Sequence, residues 1–360
     1  MKILTVVGAR PQFVKAATIS RHVAFDPEVE EILVHTGQHF DQNMSEVFFE
    51  EMQIPKPKYN LNINALGHGA MTGRMLEEIE GVLAKEQPDI LLVYGDTNST
   101  IAGALAAKKL HIPVGHVEAG LRSFNMEMPE EVNRILTDRI SDYLFCPTDT
   151  AINNLKKEGY DNIDCELVRT GDVMYDAALF YANYSEEKST VLSEIGLENF
   201  ALCTLHRAEN TDNAKRLTAF VESLNEIHQE LPVVCPLHPR TKKKLEENGL
   251  ALNVHIIDPV GYFDMIELLK HCRLVFTDSG GLQKEAYFFN TPCITMRDQT
   301  EWVELVENGF NVLSEPNIES MREAFERMTS IKLNFQIDLY GDGLAAKSIL
   351  AHLKSALNAG

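Results

Sequence analysis

Short runs of β-branched and aliphatic residues alternate along the chain with longer segments in which apolar residues recur at helical spacing. The first series of these runs predicts strands over residues 3–7, 31–35, 90–94, 114–117 and 143–146. A second series predicts strands over residues 201–205, 233–237, 254–257, 274–276 and 293–296. Strands that alternate with helices are typical of β-α-β units. The pattern therefore predicts an α/β protein with two parallel sheets.

A polar and aromatic segment over residues 170–199 separates the two series of predicted strands. It contains Gly171 and a helical pattern over residues 174–182. A length of 360 residues agrees with two domains, and we place the boundary at Gly171. This predicts a first domain over residues 1–170 and a second over residues 171–343. The last helical pattern, over residues 344–357, is expected to pack back onto the first domain.

The charge balance excludes several classes of partner. The 33 Lys and Arg residues against 53 Asp and Glu give a formal charge of −20, which repels nucleic acid and anionic lipid at long range. We therefore expect no nucleic-acid partner and no membrane partner. The sequence shows no signal-peptide pattern and no apolar run near 18 residues, so a cytoplasmic protein is expected. The six cysteines lack C-x-x-C spacing and are expected to be reduced core residues.

A phosphate site is predicted where the strand over residues 274–276 ends. The next residues read T-D-S-G-G, and a helical pattern follows. Unpaired N–H groups at a helix N-terminus carry partial positive charge, so Ser279, Gly280 and Gly281 suit a diphosphate. Glu285, one turn into the helix, suits the hydroxyls of a ribose, which favours a nucleotide. The alternative is an ordinary strand-to-helix turn with a Gly-Gly hinge.

Basic residues follow the first predicted strand. Ligands of open parallel sheets bind beyond the carboxyl ends of the strands, so these residues are candidates for binding. Arg10 lies at the turn and Lys15 follows in the next helical pattern, and both suit a phosphate ligand. The alternatives are a solvated turn for Arg10 and a helix-surface charge for Lys15.

Three carboxylates, Asp96, Glu118 and Glu130, are expected to meet near neighbouring strand ends. They predict either a general acid and base set or a divalent-metal site. For Asp96 the alternative is capping of the next helix. Arg122 or Arg134 is expected to pair with one of the three carboxylates, which is a competing structural role.

The strand ends of the second half carry further candidates. His206 follows the strand over residues 201–205 and suits phosphate binding or proton transfer. The loops around His238 and over residues 258–262 are predicted to form the wall for a uracil or other base, with Tyr262 or Phe263 available for stacking.

The segment after the last predicted strand reads M-R-D-Q-T-E-W-V-E and contains the only tryptophan, Trp302. Arg297 in this segment is a further candidate for a phosphate contact. The alternative is an ion pair between Arg297 and Asp298.

Seven motifs together resemble those of a known family. Along residues 1–310 they are, in order, G-A-R-P-Q-F-V-K, Y-G-D-T-N-S-T, H-V-E-A-G-L-R-S, P-E-E-V-N-R, H-R-A-E-N, L-H-P-R and T-D-S-G-G-L-Q-K-E-A. In this order and spacing they resemble the non-hydrolysing UDP-N-acetylglucosamine 2-epimerases. The resemblance implies two Rossmann-like domains in a glycosyltransferase-B-type arrangement, with the active site in the interdomain cleft.

The resemblance also implies roles for individual residues. The catalytic residues would be Asp96, Glu118, Glu130 and His206. The residues that bind the UDP moiety would be Arg10, Lys15, Ser279, Gly280, Gly281 and Glu285. The family further implies a UDP-sugar substrate, no cofactor, no metal, a cytoplasmic homodimer and a role in polysaccharide biosynthesis such as that of lipopolysaccharide O-antigen.

Inversion at C2 of the sugar favours an elimination mechanism. A C2 proton on a pyranose has no adjacent carbonyl, so its direct removal is not feasible, and the glycines over residues 67–73 lack the spacing of a nicotinamide fingerprint. A carboxylate would instead remove the C2 proton as UDP leaves C1, giving a 2-acetamidoglucal to which UDP adds again. Arg10, His206 and the S-G-G helix end would stabilise the leaving group.

Two departures from the family pattern concern substrate and regulation. Typical members have an Arg-Pro pair where this chain has Trp302 and Val303, and the segments S-F-N-M-E-M-P and M-R-D-Q are more similar to enzymes acting on UDP-2,3-diacetamido-2,3-dideoxy-glucuronate. Both substrates stay open at this point. Members activated by their own substrate have Arg-Gln near the position of His68 here, while Gln38-His39 resembles the other half of that second site.

Three other functions stay open on the same architecture. A glycosyltransferase would use a UDP-sugar and an acceptor, and would not need three carboxylates at the strand ends of the first domain. A hydrolysing 2-epimerase would release free sugar and UDP. A non-enzymatic nucleotide-sugar sensor would bind UDP with no exchange at C2, and the fold alone does not decide among these.

Overall fold

The computed structural model describes residues 1–38, 49 and 53–358, and the chain divides into two compact units. One unit comprises Met1–Ala177 with Asp338–Gly360, and the other comprises Ala178–Ile337. Each unit contains one parallel sheet with helices, so the prediction of an α/β fold with two parallel sheets is confirmed. The chain passes between the units at residues 177–178 and 337–338, whereas the sequence-based boundaries were 170–171 and 343–344.

The described strands of the first unit form a sheet with the order β3-β2-β1-β4-β5-β6-β7. Their bounds are β1 (Lys2–Val7), β2 (Glu30–His35), β3 (Tyr59–Asn60), β4 (Ile90–Tyr94), β5 (Val114–Val117), β6 (Tyr143–Cys146) and β7 (Glu166–Arg169). Every neighbouring pair is parallel. The order reverses between β1 and β4, which makes the ends of these two strands the topological switch point.

The described strands of the second unit have the order β10-β9-β8-β11-β12-β13, again with parallel pairs throughout. Their bounds are β8 (Ala201–Thr204), β9 (Val233–Pro236), β10 (His255–Ile257), β11 (Leu274–Thr277), β12 (Cys293–Thr295) and β13 (Asn311–Leu313). This order repeats that of the first six strands of the first sheet. The switch point of the second sheet therefore lies between β8 and β11.

Helices connect the strands of both sheets. The described helices are α1 (Arg10–Val23), α2 (His68–Glu86), α3 (Asn98–Lys109), α4 (Pro129–Ile140), α5 (Asp149–Lys157), α6 (Val173–Lys188), α7 (Val191–Ile195), α8 (Ala208–Thr211), α9 (Ala214–Ile227), α10 (Pro239–Glu247), α11 (Tyr262–His271), α12 (Gly280–Phe288), α13 (Val303–Glu307), α14 (Ile318–Ser330) and α15 (Ala345–Asn358), with a 3₁₀ turn over Tyr160–Asn162. None of them combines the length and apolar character needed to cross a bilayer.

Successive residues of the second sheet are buried in separate core clusters on its two faces. Leu274 and Phe276 of β11 belong to one cluster, and Val275 between them belongs to the other. Side chains of a strand alternate between the two faces, so both faces of this sheet are covered. This explains why the central strands read as continuous apolar runs in the sequence.

Three strands were missed by the sequence pattern: β3, β7 and β13. Each lies at the edge of its sheet, and most of its residues are partly exposed. A partly exposed edge strand needs no apolar run, so hydrophobicity does not reveal it.

The C-terminal helix α15 packs against α1 within the first unit. Its N-terminus is capped by Asp176, whose carboxylate accepts hydrogen bonds from the N–H groups of Ala345 at 3.0 Å and Ala346 at 2.8 Å. Burial raises the pKa of Asp176 to about 6, and the neighbouring carboxylates of Asp172 and Asp342 add to this shift.

Replacing Asp176 with asparagine is expected to change the pH dependence of stability. The folded protein binds the Asp176 proton more tightly than the unfolded chain, so this group lowers stability as pH rises from about 4 to about 6, by at most about 1.4 kcal/mol per pH unit. An amide does not titrate, so D176N lacks this decline. Urea unfolding of both proteins at pH 4.5 and 7 measures the effect, and identical pH slopes would contradict it.

Candidate functional site

Four of the predicted site residues follow the strands that form the switch points of the two sheets, considered separately. In the first unit, Arg10 follows β1 and Asp96 follows β4. In the second unit, His206 follows β8 and Ser279 follows β11. Open parallel sheets bind ligands at these positions, outside the carboxyl ends of the strands.

Gln12 links the two strand ends of the first switch point. Its side chain is 2% exposed, and its Oε1 accepts from the N–H groups of Gly8 at 2.8 Å and Ala9 at 3.0 Å. Its Nε2 donates to the carbonyl of Tyr94 at 2.6 Å and to Thr100 Oγ1 at 3.0 Å. The turn after β1 is thereby fixed against the end of β4. Arg10 at this turn is exposed.

Lys15 and Glu118 form a largely buried ion pair. The Lys15 Nζ contacts Glu118 Oε2, and the two side chains are 12% and 8% exposed. Gly95 packs beside the pair, since a β-carbon on it would lie 3.3 Å from Glu118 Oε2 and 3.6 Å from Lys15 Nζ. The structure therefore joins one residue predicted to bind UDP with one predicted to be catalytic.

Glu118 has a strained backbone. Its φ of 72° is in the left-handed region, which costs a non-glycine residue about 1–3 kcal/mol and is found most often at functional sites. The N–H groups of Glu118 and Ala119 both donate to the carbonyl of Phe145 at 3.1 Å, and these bonds hold the turn.

Asp96 pairs with Arg134 of α4, which confirms the prediction that Arg122 or Arg134 contacts one of the carboxylates. The amide of Asn133 also donates to the backbone carbonyl of Asp96 at 2.9 Å. Burial raises the pKa of the Asp96 carboxyl, Arg134 opposes this effect and Glu118 reinforces it. Asp96 therefore keeps its proton to a higher pH than an ordinary aspartate.

The two adjacent glutamates of the P-E-E motif have different environments. Glu130 is exposed in the first turn of α4, four residues before Arg134. Glu131 is 1% exposed and accepts from the N–H groups of Ser123 and Phe124 at 2.9 Å each and from Arg134 Nη1 at 3.0 Å. Glu131 thus supports the loop before α4. Among the described residues, no three His, Cys, Asp or Glu side chains converge as metal ligands.

A pocket of about 330 Å³ lies at the switch point of the second sheet. It contains four of the predicted residues, namely His206, Ser279, Gly281 and Glu285. Its remaining wall comes from the strand ends and from the loops predicted to hold a base, including His238, Pro259 and Val260. Ser279 is the N-cap of α12, so the first N–H groups of that helix are oriented as an anion site requires.

Asp278 is a functional residue that sequence reasoning missed. Its carboxylate is fully buried and accepts from the N–H groups of His206 at 3.0 Å and Arg207 at 2.9 Å and from the Asn210 amide at 3.2 Å. Its Oδ1 also lies 3.3 Å from His206 Nδ1, which directs the other ring nitrogen, Nε2, away from the carboxylate. Thr204 of β8 pairs with Thr277 of β11, so the residues that follow these two strands, including His206 and Asp278, are neighbours.

Tyr262 does not line the pocket. Its ring packs edge-on against Tyr181, with 5.5 Å between the centroids. Burial raises the pKa of the Tyr262 hydroxyl well above its ordinary value, and the nearby carboxylate of Glu285 adds to the shift. The structure therefore connects Tyr262 with Glu285 and does not present it as a stacking surface in this pocket.

Arg297 is 4% exposed and belongs to a cluster of charges next to Gly280. Its Nη1 donates to Glu301 Oε2 at 3.0 Å, whereas Asp298 pairs with Arg216 at 2.8 Å, so the expected alternative pair of Arg297 with Asp298 is replaced by one with Glu301. Burial acts to raise the pKa of the Glu301 carboxyl, but the charges of Arg297 and Arg207 together with hydrogen bonds outweigh it, and the pKa is lowered. A β-carbon on Gly280 would lie 2.3 Å from Glu301 Oε1, so a larger residue here would displace the Glu301 carboxylate.

Trp302 supports the same turn. Its Nε1 donates to the carbonyl of Gly280 at 2.9 Å, and the ammonium of Lys284 lies 4.0 Å from the ring centroid. The ring is 4% exposed. Because Trp302 is the only tryptophan of the chain, we expect its fluorescence to change when a ligand binds at this turn.

Gln38, His39 and His68 are the residues that the sequence analysis compared with the second substrate site of some family members, and the structure describes Gln38 and His68. Gln38 Oε1 accepts from Ser99 N at 3.0 Å and from its hydroxyl at 2.8 Å, and His39 lies outside the described residues. His68 Nδ1 lies 3.3 Å from the Asn98 amide.

Comparison with known proteins agrees with this geometry. The sequence profile of the UDP-N-acetylglucosamine 2-epimerase family matches residues 21–354. The UDP-2,3-diacetamido-2,3-dideoxy-D-glucuronate 2-epimerase of Pseudomonas aeruginosa is 58% identical over 356 residues, which cover 98% of this chain and 99% of that protein. The UDP-N-acetylglucosamine 2-epimerase of Methanocaldococcus jannaschii is 44% identical, with 97% of this chain and 98% of that protein covered.

The fold is also similar to that of a solved structure of the family. A crystal structure of the Methanocaldococcus jannaschii UDP-GlcNAc 2-epimerase in complex with UDP-GlcNAc and UDP superimposes with a TM-score of 0.87, 44% identity and coverage of 99% of this chain and 100% of that one. A match over nearly the whole length, with the motif residues at both switch points, shows the family. The chain belongs to the UDP-N-acetylglucosamine 2-epimerase family.

Proposed function

We propose that the protein is a non-hydrolysing 2-epimerase that reversibly inverts C2 of a UDP-2-acetamido sugar. The observation that carries this proposal is the Lys15–Glu118 pair beside Asp96, which places two carboxylates with different partners at a ligand-binding edge of the first unit. The UDP pocket of the second unit supplies the nucleotide specificity.

The two carboxylates suit the two proton transfers of the reaction, which are removal of the proton from C2 and return of a proton to C2. Glu118, which contacts the Lys15 ammonium, is assigned the role of base. Asp96, with its raised pKa, is more readily protonated and acts as an acid. Elimination removes the C2 proton while the electron pair of the C1–O bond leaves with UDP, and the product is a 2-acetamidoglucal. Return of a proton to the opposite face of C2 and re-addition of UDP at C1 then give the epimer.

Groups at the switch points of the two sheets stabilise the leaving diphosphate. In the second unit these are His206 and the N–H groups that follow Ser279 at the start of α12. In the first unit, Arg10 is exposed at the turn after β1 and supplies a guanidinium. Glu285, at the pocket wall, is assigned to the ribose hydroxyls.

We further propose that the substrate is the 2,3-diacetamido-2,3-dideoxy-glucuronate sugar nucleotide. Support comes from the higher identity to the relative of that name and from Trp302-Val303, where typical UDP-N-acetylglucosamine enzymes have Arg-Pro. Trp302 contacts the carbonyl of Gly280, so this departure alters the surroundings of the UDP site itself.

The substrate is tested by incubating the protein in D₂O with each sugar nucleotide and following the products by proton NMR. We expect the diacetamido uronate to form its C2 epimer with deuterium at C2, and kcat/KM at least about tenfold above that for UDP-GlcNAc. The Glu118→Gln protein, prepared identically, controls for contaminating activity. Faster turnover of UDP-GlcNAc would contradict the substrate assignment, and release of free sugar would indicate a hydrolysing enzyme.

The proposal includes a cytoplasmic homodimer, supported by the resemblance of the motifs to those of the family. Light scattering coupled to gel filtration tests this. A mass near twice the 40.4 kDa of the chain is expected.

A further inference from the structure

A buried polar network lies within the first unit, centred on Asp138 of α4. The side chains of Asp138 and His116 are both 0% exposed, and His116 Nδ1 lies 2.7 Å from Asp138 Oδ1. Asp138 Oδ2 accepts from Arg122 Nη1 at 2.7 Å and from the N–H of Gly120 at 3.2 Å. One carboxylate therefore binds three groups of a single segment, residues 116–122.

The three groups bound by Asp138 flank Glu118 in the sequence. His116 comes two residues before Glu118, Gly120 two residues after it and Arg122 four residues after it. Gly120 itself cannot be replaced without strain, because its φ is 80° and a β-carbon would lie 2.6 Å from the carbonyl of Ala151. Asp138 thus holds both sides of the turn in which Glu118 has its left-handed backbone.

The network also reaches the segment that carries Asp96. His116 Nε2 lies 2.7 Å from the carbonyl of Gly95, which directly precedes Asp96. The N–H of Gly95 in turn donates to the carbonyl of Val117 at 3.0 Å. His116 therefore lies between the Asp138 carboxylate and the carbonyl of Gly95 and contacts both.

Within the described residues, the Arg122 guanidinium of this network contacts two carboxylates, Asp138 and Glu158. The Asp138 carboxylate lies between His116 and Arg122, and Arg122 is also bound by Glu158 through Nε at 2.7 Å. Burial acts to raise the pKa of Asp138, but the hydrogen bonds and charges of His116 and Arg122 outweigh it and lower the pKa. The carboxylate is therefore ionised, which is the form that accepts from all three donors.

We propose that Asp138 and His116 are positioning residues that fix the two acid–base carboxylates, Glu118 and Asp96, relative to each other. This inference rests on the proposed function of those two residues. Asp138 acts on Glu118 through the backbone of residues 116–122, and His116 acts on Asp96 through the carbonyl of Gly95. Neither residue contacts the substrate.

The test compares Asp138→Asn with Asp142→Asn. Asp142 holds the other end of β5, where its Oδ2 accepts from the N–H of Val114 at 2.9 Å and its Oδ1 pairs with Lys108. We expect D138N to lower kcat by about 10²-fold, as a displacement of catalytic groups does, while UDP affinity measured by Trp302 fluorescence changes little. D142N is expected to keep its kcat. A folded D138N protein with the kcat of D142N would overturn the inference.

His116 provides a second, independent pair of variants. His116→Ala is expected to lose activity to a similar extent, and His116→Gln to retain more, because the amide can still donate to the carbonyl of Gly95. Equal activity of H116A and the wild type would overturn the inference even if D138N failed to fold.

A double variant separates positioning from general damage to the fold. If Asp138 acts through Glu118, the kcat of E118Q/D138N is expected to equal that of E118Q, because effects that share one path are not additive. Fully multiplied losses would overturn the inference. An active E118Q single variant would instead contradict the proposed function, so the two failures are distinguishable.

Discussion

Replacing Glu118 with glutamine is expected to lower kcat by about 10²–10⁴-fold, the usual contribution of one well-positioned acid or base. The amide has nearly the same shape as the carboxylate, so the turn with its left-handed backbone is retained. UDP affinity, followed by Trp302 fluorescence, is expected to change little. The measurement is the rate of C2 inversion with saturating sugar nucleotide, together with deuterium uptake from D₂O.

The matched control for this variant is Glu86→Gln. Glu86 has the same side-chain exposure as Glu118, 8%, and also pairs with lysines, namely Lys2 at 2.9 Å and Lys58 at 2.8 Å. It lies at the end of α2, away from the switch point. We expect E86Q to keep the wild-type kcat. A Glu118→Gln protein that retains more than about a tenth of wild-type kcat would contradict the assignment.

Replacing Asp278 with alanine is expected to produce the largest combined loss of stability and binding. The carboxylate accepts from the N–H groups of His206 and Arg207 and from the Asn210 side chain, and each buried donor left without a partner costs about 1–3 kcal/mol. The loop that carries His206 would lose its attachment to the end of β11. We expect a lower unfolding temperature and UDP affinity reduced by at least about tenfold, which corresponds to 1.4 kcal/mol.

The control for the second prediction is Asp212→Ala. Asp212 ends α8 and pairs at 2.6 Å with Arg240, but its side chain is 47% exposed. An exposed pair of this kind contributes about 0–1 kcal/mol. Thermal unfolding and UDP titration of both variants measure the difference. Equal midpoints and equal UDP affinities for D278A and D212A would contradict the role of Asp278.

The central strands could be predicted from the sequence because helices cover both faces of the sheets. Residues 90–94 and 114–117 were predicted with the observed bounds, since every residue of β4 and β5 is buried. The edge strands β3, β7 and β13 could not, because their partly exposed residues produce no apolar run. The fourth edge strand, β10, is also partly exposed but was predicted, because residues 254–257 include three β-branched apolar residues.

The candidate site was predictable where it depends on strand ends. Asp96, Glu118, His206 and Ser279 were chosen because parallel strands bring their carboxyl ends to one edge. Arg134 was expected to pair with one of the carboxylates, but the buried partner of the His206 loop was not found, because hydrogen bonding between distant segments depends on strand register. Asp278 supports the loop of His206 only because β8 and β11 pair as they do.

The spacing of charged residues along α4 is a further sequence signal of the supporting network. The buried charged residues of α4, Glu131, Arg134 and Asp138, lie at spacings of three and four residues, which marks them as one face of the helix. In the motif P-E-E-V-N-R the sequence predicted a catalytic role for Glu130, which is exposed in the structure. A buried charged face of this kind requires partners on neighbouring elements and indicates a supporting network.

The central claim is that the bond between C1 and UDP breaks and re-forms during inversion at C2. It is tested most directly with a sugar nucleotide that carries ¹⁸O in the bridge between C1 and the β-phosphorus, followed by ³¹P NMR after partial conversion. The proposed elimination predicts that the label moves into non-bridging positions of the β-phosphoryl group in recovered substrate and product. Complete epimerisation with all of the label still in the bridge would contradict it.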